Sequence, residues 1–399
     1  MTITDVKVKA IDYSARYLYP SRTVEIKTSG QNILTPVRAA TFYEYREKAK
    51  VPTDIPIDNP IFVSVENLSL LMFEKFLQTN SYYSKLMRRL ELSDRLAQYS
   101  DLRMTLIRPT VTPKIDSKTK LVSDSPMEML RQSPTLRDRF IRFVIKMQYD
   151  AGLNPIAIPF IDLPFHTFQD VSSQIGKSLE RINRQPVFFI DIGYEDFESA
   201  VGLIANKLQS KFIGLYFRPY RMFPLHYEAL SKYVDKDVGF FTVQVSRYDS
   251  DYNDISTMHY LPFFGNDIYA VRTPPPFGFS TKGTPPTSRL TSVRLFDRAS
   301  LRVKQIGLSP STVSELADEY RNDEIITNIL ANYQEANVDD AKYQILRAFS
   351  KISELKSSLS EFERFKDFIK EGSTKDYLQE KQVLRKTLQE VTHNQAKLA

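Results

Sequence analysis

The chain has 399 residues, 42% of them apolar and 26% charged, a globular composition that excludes disorder as its main state. It has no cysteine, which excludes disulfides, thiolate zinc sites, iron–sulfur clusters and cysteine nucleophiles together. A balance of 54 Lys and Arg against 48 Asp and Glu leaves a formal charge of +6, a mild bias and no nucleic-acid signature by itself.

Residues 1–50 read as an extended N-terminal region. Thr23 to Pro36 is a hairpin candidate, because two alternating stretches flank Ser29-Gly30-Gln31-Asn32, whose residues suit a tight turn. Residues 51–60, with three prolines, read as a loop. Ile61–Val65 reads as a buried strand, helices are expected over 68–79 and 82–99, and Met104–Ile107 reads as a strand running into Arg108 and Pro109. Residues 110–128 read as an exposed polar loop. Thr135 is the expected N-cap of a helix reaching Ala151, with Phe140, Val144 and Met147 on one face.

From there the rhythm is regular. Strands over Pro155–Asp162, Val187–Asp191, Phe212–Phe217, Val238–Ser246 and Asp267–Val271 alternate with helices over 168–182, 197–208 and 226–234. Alternation of this kind predicts parallel βαβ units, and near-continuous apolar strands predict a sheet covered by helices. With the two earlier strands the count is seven; an eighth, near Ser292–Phe296 or on the N-terminal side, would close a barrel. No glycine-rich phosphate turn follows an early strand, which speaks against an open dinucleotide-binding sheet. The expected fold is an α/β, TIM-like (β/α) barrel over 51–308, between an N-terminal hairpin region (1–50) and a C-terminal α-helical extension (309–399). Residues 273–288 form a proline-rich loop.

In the extension, helices are expected over 311–320, 322–333, 338–370 and 375–397, with a break at Gly372. Leu355, Leu359, Phe362 and Phe365 form one apolar stripe; Tyr377, Leu384, Leu388 and Val391 form another. Such stripes must be buried somewhere, so a helical hairpin or coiled coil is expected, serving a homo-oligomer or a partner protein. No apolar run approaches the roughly 18 residues of a membrane span, and Met1–Lys9 has no apolar leader, so no membrane partner and a cytoplasmic location are expected.

In a parallel barrel the loops at the strand C-termini build the active site, a rule that selects residues without a motif. Asp162 and Asp191 end neighbouring strands. Two carboxylates in one mouth can divide into an acid and a base, or a nucleophile and a base. They equally suit a divalent cation, or helix capping and arginine pairing. Arg108, Arg218, Arg221, Arg247 and Arg272 fall at predicted strand ends, where their planar forks suit a phosphorylated or polyanionic ligand, or salt bridges to nearby carboxylates. Tyr220 and the aromatic run from Phe212 add stacking faces that suit a nucleobase, or else the core. His166 and His259 each follow a predicted strand and are candidate general acids or bases. No metal-ligand spacing and no Walker A, G-x-S-x-G, H-E-x-x-H or EF-hand motif occurs, so neither metal nor cofactor is expected.

Val24-Glu25-Ile26-Lys27, Gly30 and Ile33-Leu34-Thr35-Pro36 resemble the opening strands of the tRNA-guanine transglycosylases, where a Thr-Pro leads into the barrel. Phe264-Gly265-Asn266-Asp267-Ile268-Tyr269 is similar to that family's late strand, which carries an aspartate nucleophile. Here the nucleophile position falls at Ala270, with Asp267 the nearby carboxylate. The family's Asp-Ser-Gly-Gly-Phe-Gln signature is absent after Val65, and its cysteine zinc site cannot form. The resemblance implies a barrel that handles a nucleobase, with its catalytic machinery lost or relocated. It alone recommends Asp267.

Three functions compete. The favoured one is a nucleic-acid or nucleotide-binding barrel with base-modifying, transglycosylase-like chemistry or a degenerate relative of it. The second is a non-catalytic structural subunit that assembles through its C-terminal helices. The third is a barrel enzyme acting on a phosphorylated small molecule.

Overall fold

Three N-terminal strands, β1 (Ile3–Asp12), β2 (Ser21–Thr28) and β3 (Asn32–Leu34), form an antiparallel sheet. The expected hairpin is its second half: the Thr28 hydroxyl accepts from the Gly30 and Gln31 amides and closes the turn. The computed structural model describes residues 3–15, 19–41, 44, 61–68, 102–110, 114–115, 122–123, 125–208, 210–217, 224–246, 254–272 and 292–396. The loop over 51–60, the helices expected over 68–79 and 82–99 (apart from Leu68, which ends a strand), and the proline-rich loop lie outside the described residues.

The barrel strands follow in chain order: β4 (Val37–Thr41), β5 (Ile61–Leu68) and β6 (Leu102–Pro109). A small hairpin, β7 (Lys114–Ile115) and β8 (Val122–Ser123), and helices α1 (Pro126–Gln132) and α2 (Pro134–Asp150) come next. Then β9 (Ile156–Ile158), α3 (Phe165–Arg181), β10 (Pro186–Asp191), α4 (Phe197–Gly202), β11 (Phe212–Tyr216), α5 (Pro224–Ser231), β12 (Gly239–Val245), α6 (Thr257–Tyr260) and β13 (Ile268–Val271) complete it. Eight strands pair in parallel in the spatial order β6-β5-β4-β13-β12-β11-β10-β9. The two edges, β6 and β9, lie side by side without a described ladder between them. This is a nearly closed TIM-like barrel.

All seven strands expected from the sequence are barrel strands. The eighth is β4, inside the stretch read as the N-terminal hairpin region, and it begins directly after Pro36. Ser292–Asp297 instead forms β14, paired antiparallel with β15 (Arg302–Gly307) outside the barrel. The cap of α2 is Ser133, two residues before Thr135; its hydroxyl accepts from the Leu136 amide, and Pro134 takes the first helical position, where a missing N–H is harmless. Strand β9 ends at Ile158, short of Asp162, because Pro159 has no amide to continue the ladder.

The barrel is filled by side chains. Gly214 leaves room for the Phe189 ring and Gly239 for the Phe212 ring; a Cβ at either position would come within 2.6 Å of that ring. Phe189 also meets Phe241 at 6.2 Å. The N-terminal sheet covers the bottom, where the strands begin. Gln185 donates to the Ile3 carbonyl, Asp237 accepts from the Val8 amide, and Val6, Val24, Ile26 and Ile33 are buried beneath the barrel.

The C-terminal helices are α7 (Pro310–Glu319), α8 (Glu324–Glu335), α9 (Asp339–Lys370), α10 (Thr374–Glu380) and α11 (Gln382–Ala396). The single helix expected over 375–397 is two helices, broken at Lys381, whose buried ammonium pairs with Glu361 at 2.9 Å. Helix α9 packs against β4 and β14. One apolar core joins Ala40 and Phe62 to Val293, Leu295, Ile329, Phe349 and Leu355. Phe362 stacks on Tyr269 at 5.6 Å, Phe365 meets Phe263 at 5.3 Å, and Tyr377, Leu384 and Leu388 are buried in the main core. Leu355, Phe362, Phe365, Tyr377, Leu384 and Leu388 of the stripes that suggested an oligomerisation arm are therefore buried within the chain's own cores.

One tie between the two ends of the chain is a single carboxylate. Asp12 accepts from the Thr374 amide at 2.7 Å and the Thr374 hydroxyl at 2.6 Å, at the first turn of α10, and from the Ser14 amide at 2.7 Å. Burial raises its pKa, but these hydrogen bonds outweigh burial and hold it below the usual carboxylate range. Asp12→Ala is expected to destabilise the protein by about 1–2 kcal/mol, the loss of a good N-terminal helix cap, read as a lower urea midpoint. An unchanged midpoint would mean that the tie carries no stability.

Candidate functional site

At the C-terminal end of the barrel a cleft of about 530 Å³ opens between the ends of β6, β9, β10 and β11. It is lined by Arg108, Asp162, Asp191 and Tyr216, with Arg131, Phe160 and Tyr194 among its walls. Three of the residues selected by the strand-end rule thus share one cleft: Arg108 near the end of β6, Asp191 as the last residue of β10, and Asp162 in the loop after β9.

Each is held differently. Asp191 lies opposite Tyr216 in the β10–β11 register, and its Oδ1 accepts from the Gly193 amide at 2.9 Å, closing the turn after the strand. The Asp162 amide donates to the Met127 sulfur at 3.4 Å, and its carboxylate lies 3.9 Å from Arg131, both side chains being half exposed. An ion pair that exposed is worth about 0–1 kcal/mol, so the Asp162 carboxylate is available to a ligand. The Arg108 guanidinium carbon sits 4.4 Å from the centre of the Tyr216 ring, a cation–π contact that fixes both groups.

The walls are aromatic. Phe160 meets Tyr194 edge-on at 5.1 Å and Phe168 at 6.4 Å, and Tyr194 donates to the Leu163 carbonyl at 2.7 Å, holding the loop that carries Asp162. Burial, and secondarily the nearby carboxylates, push the Tyr194 phenol up, so it remains a donor. The Tyr216 ring lies 5.7 Å from Phe189, closing the bottom of the cleft. The cleft is richer in carboxylate than an arginine rim would be, since Glu195 and Asp196 also line it.

The other candidates divide. Arg218, Tyr220, Arg221 and Arg247 lie outside the described residues. Arg272 follows β13 at the same end of the barrel, exposed and not on the cleft wall. Asp267 is corrected: it precedes β13 at the bottom, fully buried, with Arg22 on its carboxylate at 2.6 and 3.0 Å, because the N-terminal sheet brings Arg22 there. Ala270, the position aligned with the transglycosylase nucleophile, is buried within β13. His166 is exposed on α3, its ring nitrogen 3.1 Å from the Thr167 hydroxyl. His259 is also corrected: it is stacked between Phe296 and Phe362 and cannot exchange protons with a substrate. Among the described residues no group of three or more His, Asp or Glu is arranged to hold a metal ion, and no helix is long and apolar enough to cross a membrane.

Sequence reasoning missed Arg131, which lies on α1 just beyond a segment read as loop; Tyr216 belongs to the aromatic run read as stacking faces or core, and it lines the cleft.

No family model matches the chain, and no curated protein matches it. The chemistry of the cleft therefore rests on its own geometry.

Proposed function

We propose that this barrel binds a nucleotide or a nucleic-acid strand and holds a base in the cleft of Arg108, Asp162, Asp191 and Tyr216. The observation that supports this reading is the combination of aromatic walls with the Asp162 and Asp191 carboxylates in one cleft. Enzymes that handle an extruded base stack it between aromatic side chains and read its polar edge by hydrogen bonds. Carboxylates accept from amino and ring N–H groups, while guanidinium groups such as Arg131 meet phosphate. Arg218, Arg221, Arg247 and Arg272, at strand ends in the sequence, extend the reading to a backbone of several phosphates. For transglycosylase-like chemistry the nucleophile or base is Asp191 or Asp162, since Asp267 is committed to Arg22.

The test is calorimetric titration with AMP, GMP, CMP and UMP, with filter binding of a mixed RNA across a salt series. Binding is expected, with RNA affinity falling steeply as salt rises because neutralised phosphates release counterions. Asp191→Asn and Asp162→Asn are each expected to weaken binding by roughly 10-fold, and to lower any base-exchange rate by roughly 10²–10⁴-fold. No association at low salt with any nucleotide or RNA would overturn the reading. Binding of a sugar phosphate without any base would move it to a small-molecule barrel enzyme. The structural-subunit reading keeps the scarcity of His, Cys and Gly as its support, while Leu355, Phe362, Phe365, Tyr377, Leu384 and Leu388 of the C-terminal stripes are buried within the chain.

A further inference from the structure

Tyr216 closes the bottom of the cleft. Its side chain is 2% exposed, its ring is held between Phe189 and the Arg108 guanidinium, and it lines the cavity directly. Its hydroxyl proton has no acceptor. The Phe160 backbone bears on the oxygen as a donor does, lowering its pKa, and so supplies nothing for that proton. A buried hydroxyl is nearly always paired in a native protein, and an orphan needs a reason. Phenylalanine would fill the same space, complete the same stack and bury no unpaired group. An orphan donor on the wall of a cavity is explained when a ligand atom completes it.

The protonation state is settled by the surroundings. Burial, the largest influence, pushes the phenol well above its ordinary range and outweighs the opposing charge of Arg108; Asp191 adds to the rise. Across neutral pH the group therefore offers a proton and cannot act as a phenolate. The partner it lacks is an acceptor. Asp162 and Asp191, on the same cleft, supply acceptors for a ligand's N–H groups but nothing for its oxygens.

Resting on the nucleotide reading above, we infer that Tyr216 Oη is a ligand-binding group that donates a hydrogen bond to an oxygen of the bound nucleotide at the floor of the cleft. The side chain then recognises an oxygen, while the carboxylates recognise N–H groups.

Tyr216→Phe removes one oxygen and keeps the ring, so stability and binding can be read separately. Thermal unfolding of the free protein is compared with calorimetric titration by AMP, GMP, CMP and UMP, for wild type and variant. The free variant is expected to have a Tm close to or above that of the wild type, because the proton it loses had no acceptor. Its affinity for whichever nucleotide the wild type binds is expected to fall roughly 5-fold or more. A lower Tm, or failure to fold, would show that the hydroxyl holds the fold and would overturn the inference. Unchanged affinity would overturn the Tyr216 assignment and leave the nucleotide reading standing. No nucleotide binding by the wild type would overturn both.

Discussion

The unfolding free energy of this protein is expected to fall by roughly 1.4 kcal/mol for each pH unit between 6.5 and about 3 on account of His259 alone, and a His259→Phe variant is expected to lose that slope. His259 lies on α6, 3% exposed. Its ring is sandwiched between Phe296, 4.7 Å away and 10° from parallel, and Phe362, 4.5 Å away and 18° from parallel. Burial above all, then the positive charges of Arg38 and Lys381, push its pKa from 6.5 down to about 3. In the unfolded chain the imidazole takes up a proton as pH falls through 6.5; in the folded chain it refuses that proton until about 3. The unfolded state therefore binds more protons throughout this window, and stability rises with pH until it is complete above 6.5. Urea titrations at pH 7.5, 6.5, 5.5 and 5, mostly above the range where carboxylates titrate, isolate the effect. Phenylalanine preserves the stacked arrangement and carries no proton. Parallel pH profiles for wild type and variant would show that His259 does not titrate across folding.

Asp267→Ala is expected to destabilise the protein by about 3–5 kcal/mol, because it leaves the Arg22 guanidinium buried without its counter-charge. Both side chains are fully buried. Arg22 donates through Nε to Oδ1 at 3.0 Å and through Nη2 to Oδ2 at 2.6 Å. Its remaining donors reach the carbonyls of Val234 and Val238, both at 2.8 Å. The same carboxylate accepts from the Phe240 amide at 2.7 Å, so its loss also orphans a backbone group at the start of β12. This pair fastens the N-terminal sheet to the barrel floor. A double variant, Arg22→Met with Asp267→Leu, removes both charges and is expected to recover much of the loss, since the main penalty is the unpaired ion. Denaturant titration of the three variants measures it. An Asp267→Ala protein as stable as the wild type would refute the structural role and return Asp267 to the candidate nucleophiles.

Seven of the eight barrel strands were legible because a parallel strand covered by helices is an uninterrupted apolar run, a pattern carried by a few consecutive residues. Strand β4 was not. It contains Arg38 and Thr41, and a buried arginine is acceptable there only because Glu44 pairs with it and Glu354 of α9 lies 3.5 Å away. The rule that barrel chemistry sits at strand C-termini located Arg108 and Asp191 and, through the following loop, Asp162. It could not find Arg131, which arrives on α1, or distinguish Tyr216 from the core aromatics below it.

Amphipathic stripes in the last 50 residues were equally plain, but not what covers them. A helix states that one face must leave water and says nothing about which surface receives it. The barrel side received it, through Phe263 on Phe365 and through His259 and Tyr269 on Phe362. Periodicity, strand composition and the polar residues ending each strand are local properties, so the chain alone determined the α/β alternation and the end of the barrel where chemistry belongs. Pairings such as Arg22 with Asp267, 245 residues apart, arise only when distant segments register in space. The tertiary structure alone therefore decided that Asp267 holds the floor through Arg22, while the strand-end rule had already singled out Asp162 and Asp191.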